Sequence, residues 1–132
     1  MTQSQEKKLV LVVDDDRQVQ DLVEDVLKKT GYHPVSASDG KRALDLVKMC
    51  PPDLLILDMG LPFAGGFEVL KALQNDEYRH IPILLMSGQP KDESLIVMLK
   101  KEPNVYGFLV KPLRVGILLD AIKAAMSGKK TM

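Results

Sequence analysis

Leu54-Leu55-Ile56-Leu57-Asp58-Met59-Gly60-Leu61-Pro62 is the stretch of this sequence that decides the fold. An apolar run of about strand length ends in an aspartate, and a loop signal with glycine and proline follows at once. A carboxylate at the point where a buried strand runs out into a loop projects from the carboxyl edge of a sheet. Open α/β folds bind their ligands at that edge. Asp58 is therefore the first candidate functional residue.

A second apolar run ends in the same way. Leu9–Val13 is followed directly by Asp14 and Asp15. If the two runs are parallel neighbouring strands, three carboxylates converge on one spot, and three like charges side by side are costly. Proteins tolerate such a cluster when a hard cation such as Mg²⁺ lies among the oxygens. The next acid, Asp16, is better explained as the cap of a helix.

The rest of the chain alternates short apolar runs with amphipathic stretches. The predicted strands cover residues 9–13, 33–37, 54–57, 81–86 and 106–110. The predicted helices begin after Asp16, after Asp39, at Gly65, at Pro90 and at Leu113, and the last ends at Met126. In the first helix, apolar residues recur at helical spacing at Val19, Leu22, Val23, Val26 and Leu27. Five strands alternating with five helices predict an α/β fold: a doubly wound, five-stranded parallel sheet of flavodoxin-like order 2-1-3-4-5.

Length, charge and cysteine usage narrow the class of protein. The 132 residues predict a single domain over 1–132, with a core of about 8–126 and short polar tails. The formal net charge is zero, which argues against direct nucleic-acid binding and against binding to a membrane surface. No apolar run approaches the roughly 20 residues of a membrane span, so no membrane insertion is expected. A single cysteine, Cys50, fits a reducing compartment, and we expect a cytoplasmic protein.

Two further strands end in polar residues of other kinds. The fourth predicted strand is followed by Ser87, and the fifth by Lys111 and then Pro112. The carboxyl edge would then hold three acids, one hydroxyl and one ammonium. This set of side chains fits the transfer of a phosphoryl group to a carboxylate, because a Mg²⁺ ion, a hydroxyl and an ammonium can each bind phosphoryl oxygens. Aspartate carboxylates are known to accept phosphoryl groups covalently.

These strand ends resemble a known family. The segments that carry the resemblance are Val12-Val13-Asp14-Asp15, Leu57-Asp58-Met59-Gly60-Leu61-Pro62, Leu85-Met86-Ser87-Gly88 and Phe108-Leu109-Val110-Lys111-Pro112. In this order and spacing they are similar to the response-regulator receiver domain of two-component signalling, of the stand-alone chemotaxis-regulator type. The likeness extends over the whole chain.

The resemblance implies a phosphoacceptor and a metal site. Asp58 would take a phosphoryl group from the phosphohistidine of a sensor histidine kinase or a histidine phosphotransfer protein. Asp14, Asp15 and Asp58 would hold Mg²⁺ together with the backbone carbonyl of Gly60. Such a protein is a signalling phosphoacceptor that assists its own phosphorylation and dephosphorylation, and it is not an enzyme in the ordinary sense.

The resemblance also implies a switch. Ser87 and Lys111 would bind the phosphoryl oxygens, the Lys111–Pro112 peptide bond would be cis, and Phe108 would change rotamer when Ser87 moves. The shape of the face made by helix 4, strand 5 and helix 5 would then depend on phosphorylation.

The predicted fourth helix carries one feature beyond the family pattern. Residues 95–99 are all apolar, and at 3.6 residues per turn they cover the whole circumference of a helix. We expect an apolar patch that includes Ile96 and Leu99 and that binds a downstream protein target or, as a phosphorylation-dependent homodimer, a second copy. The alternative is that this helix is short or buried locally by the loop at 103–106.

Other functions stay open on the sequence alone. A receiver-like scaffold could bind partners without phosphorylation. A small phosphohydrolase of the haloacid-dehalogenase type also uses an aspartate nucleophile and Mg²⁺, but Gln18 stands where its first motif has Thr or Val, and its late aspartates are missing. On the receiver interpretation, we expect either a stand-alone receiver that acts by protein–protein contact or a receiver excised from a longer regulator or hybrid kinase.

Overall fold

One parallel sheet of five strands forms the centre of the protein. The computed structural model describes residues 7–88 and 93–131. Its strand order, β2-β1-β3-β4-β5, is the order predicted from the sequence. The strands are β1 (Leu9–Val13), β2 (His33–Ala37), β3 (Leu54–Asp58), β4 (Ile83–Ser87) and β5 (Val105–Val110). The helices are α1 (Arg17–Lys29), α2 (Gly40–Met49), α3 (Gly65–Ala72), α4 (Glu93–Lys100) and α5 (Val115–Met126), with a 3₁₀ turn at Pro62–Ala64.

Most predicted boundaries are confirmed, and the differences have local causes. The fourth strand begins at Ile83 and not at Ile81, because Pro82 between them has no N–H to donate to the sheet. The fifth helix begins at Val115, two residues later than predicted. The predicted start of the fourth helix at Pro90 lies outside the described residues. No helix within residues 7–88 and 93–131 has the length and apolarity that a membrane span requires.

The register of the strands places all their carboxyl ends at one level. Val13 of β1 pairs with Leu57 of β3, so the residues that follow them, Asp14 and Asp58, are neighbours at the edge. On the other side, β3 pairs with β4 from Leu55 to Asp58, and β4 pairs with β5 up to Ser87. The sheet therefore delivers the ends of β1, β3, β4 and β5 to the same place.

Both faces of the sheet are covered, which explains the unbroken apolar runs. Alternate residues of β1, β3 and β4 face opposite layers. One layer packs against α2 and α3 and includes Leu11, Val13, Leu55, Leu57 and Leu85, and the other packs against α1 and α5 and includes Val10, Val12, Leu54, Ile56 and Leu84. Every residue of β3 is buried, so Asp58 ends a strand that has no solvated face.

Leu22 is one of the apolar residues at helical spacing in α1, but it is exposed. Asp16 caps this helix as predicted, accepting a hydrogen bond from the Gln18 N–H. The buried side carries Val23, Val26 and Leu27, and Gln20 lies one turn before Val23 on that side. Leu22 is adjacent to Val23 in sequence, about 100° around the helix, and is exposed.

The apolar patch also differs from its prediction, since Leu99 is not an exposed residue. Leu99 is 9% exposed and packs in the same cluster as Val105 and Phe108, because it lies on the side of α4 that faces the sheet. Ile96 is half-buried. Among the side chains of this region that the structure describes, the exposed apolar ones are Val97 and Met98 on α4, Val110 at the end of β5, and Val115 and Ile117 on α5. We call these five residues the apolar face.

Phe63 has an unusual conformation in the loop that follows β3. Its φ of 58° and ψ of 34° lie in the left-handed region, where a bulky side chain crowds the backbone. Its side chain is 96% exposed, so burial of the ring contributes nothing that would offset this strain.

Phe63→Asn is expected to stabilise the protein by about 1 kcal/mol, because asparagine tolerates the left-handed region and no buried surface is lost. This corresponds to a rise in melting temperature of roughly 4 °C for a chain of this size. Thermal unfolding followed by circular dichroism measures it. Met49→Asn is the control, since Met49 is also exposed but ends a right-handed helix, where asparagine is the poorer helix former. A lower melting temperature for Phe63→Asn would contradict the assignment of strain.

Candidate functional site

The carboxyl edge of the sheet brings three acids together. Carboxylate oxygens of Asp14, Asp15 and Asp58 all lie within 4.8 Å of one another. Asp14 and Asp58 are buried, and Asp15 is exposed. The pairing of β1 with β3 explains this convergence, because it places two strand ends side by side.

The turn after Asp58 is shaped by close backbone contacts. The Gly60 N–H donates a hydrogen bond of 2.9 Å to Asp58 Oδ1, and the Met59 N–H donates one of 2.8 Å to the carbonyl of Met86. A Cβ atom on Gly66, in the first turn of α3, would lie 2.7 Å from the Asp58 carbonyl oxygen. No side chain fits at position 66, so α3 lies directly against the backbone of the candidate acceptor.

Lys111 connects two of the carboxylates. Its Nζ lies 2.6 Å from Asp14 Oδ2 and 3.4 Å from Asp58 Oδ2. The backbone at this position is held by a hydrogen bond of 2.9 Å from the Lys111 N–H to the Ser87 carbonyl. The Lys111–Pro112 peptide bond is cis. A single ammonium therefore forms ion pairs with two buried carboxylates, one directly after β1 and one at the end of β3.

The surroundings of Asp14 disfavour its negative charge. Its Oδ1 accepts a hydrogen bond of 2.8 Å from the Asp16 N–H. Its Oδ2 is buried and, within the described parts of the chain, accepts no hydrogen bond of regular geometry, although Lys111 Nζ lies at ion-pair distance. Burial raises the pKa of the Asp14 carboxyl and the charge of Asp58 adds to this, while Lys111 and the Asp16 N–H only partly offset the shift.

For Lys111, the interactions with its partners outweigh burial, whereas burial dominates for Asp14. Burial alone would lower the pKa of its ammonium, but the contact with Asp14 and the charges of Asp14 and Asp58 outweigh burial and raise that pKa. Lys111 therefore stays charged at every physiological pH.

The acidic cluster fits a hard divalent cation. Its donors are all oxygens, and they lie close enough to share one ion. Asp14 Oδ2 is a buried oxygen that accepts no regular hydrogen bond from residues 7–88 and 93–131. A cation there would relieve the burial of the Asp14 charge.

Ser87 and Phe108 lie where the sequence analysis predicted them in the sheet. Ser87 is the last residue of β4 and pairs with Val110, so its side chain belongs to the carboxyl edge. Phe108 pairs with Leu85 inside the sheet, is half-buried, and packs against the cluster that contains Leu99. The structure thus brings Asp14, Asp15, Asp58, Ser87 and Lys111 to one edge, and it places Phe108 two residues before that edge.

One polar residue near the site was missed. Gln20 is buried, and its Nε2 donates to the Asp14 carbonyl and to the Ser38 hydroxyl. Its position one turn before Val23, on the apolar side of α1, was a signal that could have been read from the sequence.

In the absence of metal, Asp14→Asn is expected to raise the free energy of unfolding at neutral pH, on the order of 1 kcal/mol. The folded-state pKa of Asp14 is raised above its ordinary value of 3.8. Wild-type stability contributed by the protonated carboxyl is therefore present below pH 3.8 and is lost as the pH rises through the folded pKa. An amide cannot ionise, so the advantage of the variant should grow over that window and then stay constant.

Urea unfolding at several pH values in EDTA measures this difference, with Asp120→Asn on the exposed side of α5 as a control. Addition of Mg²⁺ should stabilise the wild type more than Asp14→Asn. If Asp14→Asn were no more stable than the wild type at pH 7 in EDTA, the unfavourable burial of this charge would be disproved.

Comparison with known proteins identifies the family. Residues 10–123 match the response regulator receiver domain. The sensor histidine kinase TmoS of Ectopseudomonas mendocina is 39% identical over 121 residues, which cover 91% of this chain but only 12% of the kinase. The polar-differentiation response regulator DivK of Brucella anthropi is 32% identical over 120 residues, which cover 89% of this chain and 94% of DivK.

Solved structures agree with this fold. The chemotaxis response regulator CheY4 of Vibrio cholerae superposes with a TM-score of 0.80 at 30% identity, covering 91% of this chain and 99% of that protein. The match to TmoS is confined to a small part of a much longer kinase. The family match over nearly all of the sheet and the cluster of acids at its carboxyl edge agree: this chain belongs to the response regulator receiver domain family.

Proposed function

We propose that this chain is a phosphoacceptor receiver of two-component signalling, a single domain that receives its phosphoryl group on Asp58 in the cytoplasm. The donor is the phosphohistidine of a sensor histidine kinase or of a histidine phosphotransfer protein. The observation that carries the proposal is the contact of one ammonium, Lys111, with two buried carboxylates that share an acidic cluster. This arrangement can accept a phosphoryl group and neutralise its charge.

The transfer begins at a carboxylate oxygen of Asp58. That oxygen attacks phosphorus, the P–N bond to the donor histidine breaks, and its electron pair leaves with the ring nitrogen. Lys111, which is charged at neutral pH and lies 3.4 Å from Asp58 Oδ2, binds the phosphoryl oxygens. Mg²⁺ held by Asp14, Asp15, Asp58 and the Gly60 carbonyl would supply further positive charge to those oxygens. Hydrolysis of the aspartyl phosphate resets the protein.

The proposed conformational switch uses residues at the same edge of the sheet. In the proposed mechanism the Ser87 hydroxyl donates to a phosphoryl oxygen and draws the end of β4 inward, and Phe108 changes rotamer in response. Phe108 shares a packed cluster with Leu99 of α4, which offers a path from the edge to that helix. Phosphorylation would thus shift the population between two packings, because the phosphoryl group makes contacts in only one of them.

The output surface of this proposal is the apolar face. Five exposed apolar residues lie on α4, β5 and α5, and an apolar patch at a surface is a common site of protein–protein contact. Val110 and Ile117 also line a shared cavity of about 390 Å³ next to Phe108. We propose that a downstream protein or a second copy of the chain binds here after phosphorylation. The zero net charge gives no support to direct binding of nucleic acid.

Intact mass measurement tests the phosphoacceptor. After incubation with acetyl phosphate and Mg²⁺, we expect the wild type to gain one phosphoryl group, and we expect no gain for Asp58→Asn or for the wild type in EDTA. Asp120→Asn, which changes an exposed aspartate on α5, should gain the group like the wild type. Phosphoramidate serves as a second small donor with a P–N bond. A gain that survives Asp58→Asn would identify a different nucleophile, and no gain from either donor would favour a phosphorylation-independent scaffold.

Light scattering coupled to size exclusion tests the apolar face. We expect acetyl phosphate and Mg²⁺ to double the molar mass of the wild type, and we expect Met98→Glu to remain monomeric although it is phosphorylated to the same extent. Met98 is 64% exposed, so the substitution should leave the fold intact. Met49→Glu, which changes an exposed methionine at the end of α2, should behave as the wild type. A wild type that stays monomeric when phosphorylated would refute the homodimer.

A further inference from the structure

Gln20 is a polar side chain in an apolar layer. It is 4% exposed and lies in the first turn of α1 on the side that also carries Val23 and Leu27. Burial of an amide without hydrogen bonds costs about 1–3 kcal/mol. Hydrogen bonds to partners must therefore offset the burial of this amide, and the identity of those partners indicates its role.

The Gln20 amide joins the ends of two strands. Its Nε2 lies 2.5 Å from the Asp14 carbonyl oxygen, 3.0 Å from Ser38 Oγ and 3.5 Å from the Ala37 carbonyl oxygen. The Ala37 carbonyl also accepts a hydrogen bond of 3.1 Å from the Asp14 N–H. The backbone of Asp14 is thus held from both sides, through its N–H by the end of β2 and through its carbonyl by Gln20.

The contact with the Asp14 carbonyl has a consequence for Asp15. The carbonyl of Asp14 and the N–H of Asp15 belong to one planar peptide unit, so fixing the carbonyl fixes the direction in which the chain continues. Asp15 is exposed, so its backbone direction and not side-chain packing decides where its carboxylate lies. Asp14 differs, because its own carboxylate is held by the Asp16 N–H and by Lys111.

We propose that Gln20 is a positioning residue for the divalent cation site, which it serves by fixing the peptide unit between Asp14 and Asp15. The inference rests on the proposed function only in taking Mg²⁺ as the ion of the acidic cluster. The same amide also donates to Ser38, so it connects the loop that carries Asp14 and Asp15, here called the cation loop, to the loop that precedes α2. Gln20 touches neither the phosphoryl group nor the ion in this role, and it acts through the backbone of Asp14.

The chain contains a matched residue for comparison. Asn104 is also a buried amide, 1% exposed, but it precedes β5 at the opposite edge of the sheet. Its Nδ2 donates to the Leu73 carbonyl at 3.2 Å, and its Oδ1 accepts from Gln74 Nε2 at 2.7 Å. Loss of either amide should lower stability, but only loss of Gln20 should affect cation binding.

Titration of Gln20→Met and Asn104→Leu with MgCl₂, followed by backbone amide NMR shifts, separates the two roles. Methionine matches the shape of glutamine and lacks its donors. We expect the dissociation constant for Mg²⁺ to rise about tenfold in Gln20→Met, the usual effect of removing a group that supports a metal ligand. We expect it to stay within about twofold of the wild type in Asn104→Leu, while the melting temperature falls in both variants.

Phosphorylation by acetyl phosphate gives a second readout. In Gln20→Met the Mg²⁺ concentration for half-maximal rate should rise by the same factor, and the rate at saturating Mg²⁺ should match the wild type. If Gln20→Met does not fold, Gln20→Asn replaces it, because it keeps the amide but is one methylene too short for the contact. The same rise in dissociation constant is expected for Gln20→Asn.

Each contrary result has a distinct meaning. A lower melting temperature with unchanged Mg²⁺ affinity would show that Gln20 is only structural and would overturn the inference. A slower phosphorylation rate of Gln20→Met at saturating Mg²⁺, with an unchanged dissociation constant for Mg²⁺, would overturn the inference as well. Such a variant would bind the cation normally, so the loss of rate would not come from a displaced cation loop. A wild type that binds no Mg²⁺ would refute the cation site of the proposed function, and the inference with it.

Discussion

The ion pairs of Lys111 with Asp14 and Asp58 are the interaction on which the rest of this site depends. Parallel pairing of β1 with β3 places two buried carboxylates side by side, and removal of the partner of a buried charge costs about 3–5 kcal/mol. The cation, Lys111, directly follows β5, and β4 separates β5 from β3. Its side chain must cross the end of β4, and the residues there, Ser87 and Gly88, are small. The order of the strands thus favours a long cationic side chain after β5 and small residues at the end of β4.

The sequence was sufficient for the sheet and for the convergence of its strand ends. Apolar runs mark buried strands whatever their neighbours are, and the strand order follows from the short, right-handed connections. The rotation of each helix was harder to predict, because neighbouring apolar positions compete for the buried side. Leu99 was misassigned for this reason, and Gln20 was overlooked. Contacts such as that between Gln20 and the Asp14 carbonyl depend on how α1 lies against the sheet, which no local pattern specifies.

Local instability is concentrated on the functional edge. Asp14 carries a charge that its surroundings disfavour, and Phe63 holds a strained backbone conformation in the loop after Asp58. The body of the sheet shows the opposite character, since β3 is buried along its whole length and its neighbours are paired in continuous register. Proteins commonly tolerate such local costs at the places where they act. Here a stable sheet supports an edge that a bound cation or a phosphoryl group would stabilise.

The carboxyl ends of the strands lie at one level of the sheet, and this alignment limits how the site can change as sequences of such proteins diverge. The distance across the site, from β3 to β5, is two strand spacings, or about 10 Å. That width is determined by backbone hydrogen bonds, which are the same for every amino acid, and not by the volumes of core side chains. Core residues can therefore be replaced over evolutionary time while the reach required of Lys111 stays constant. A chain with 30% identity to this one can keep the same architecture at a TM-score of 0.80 for this reason.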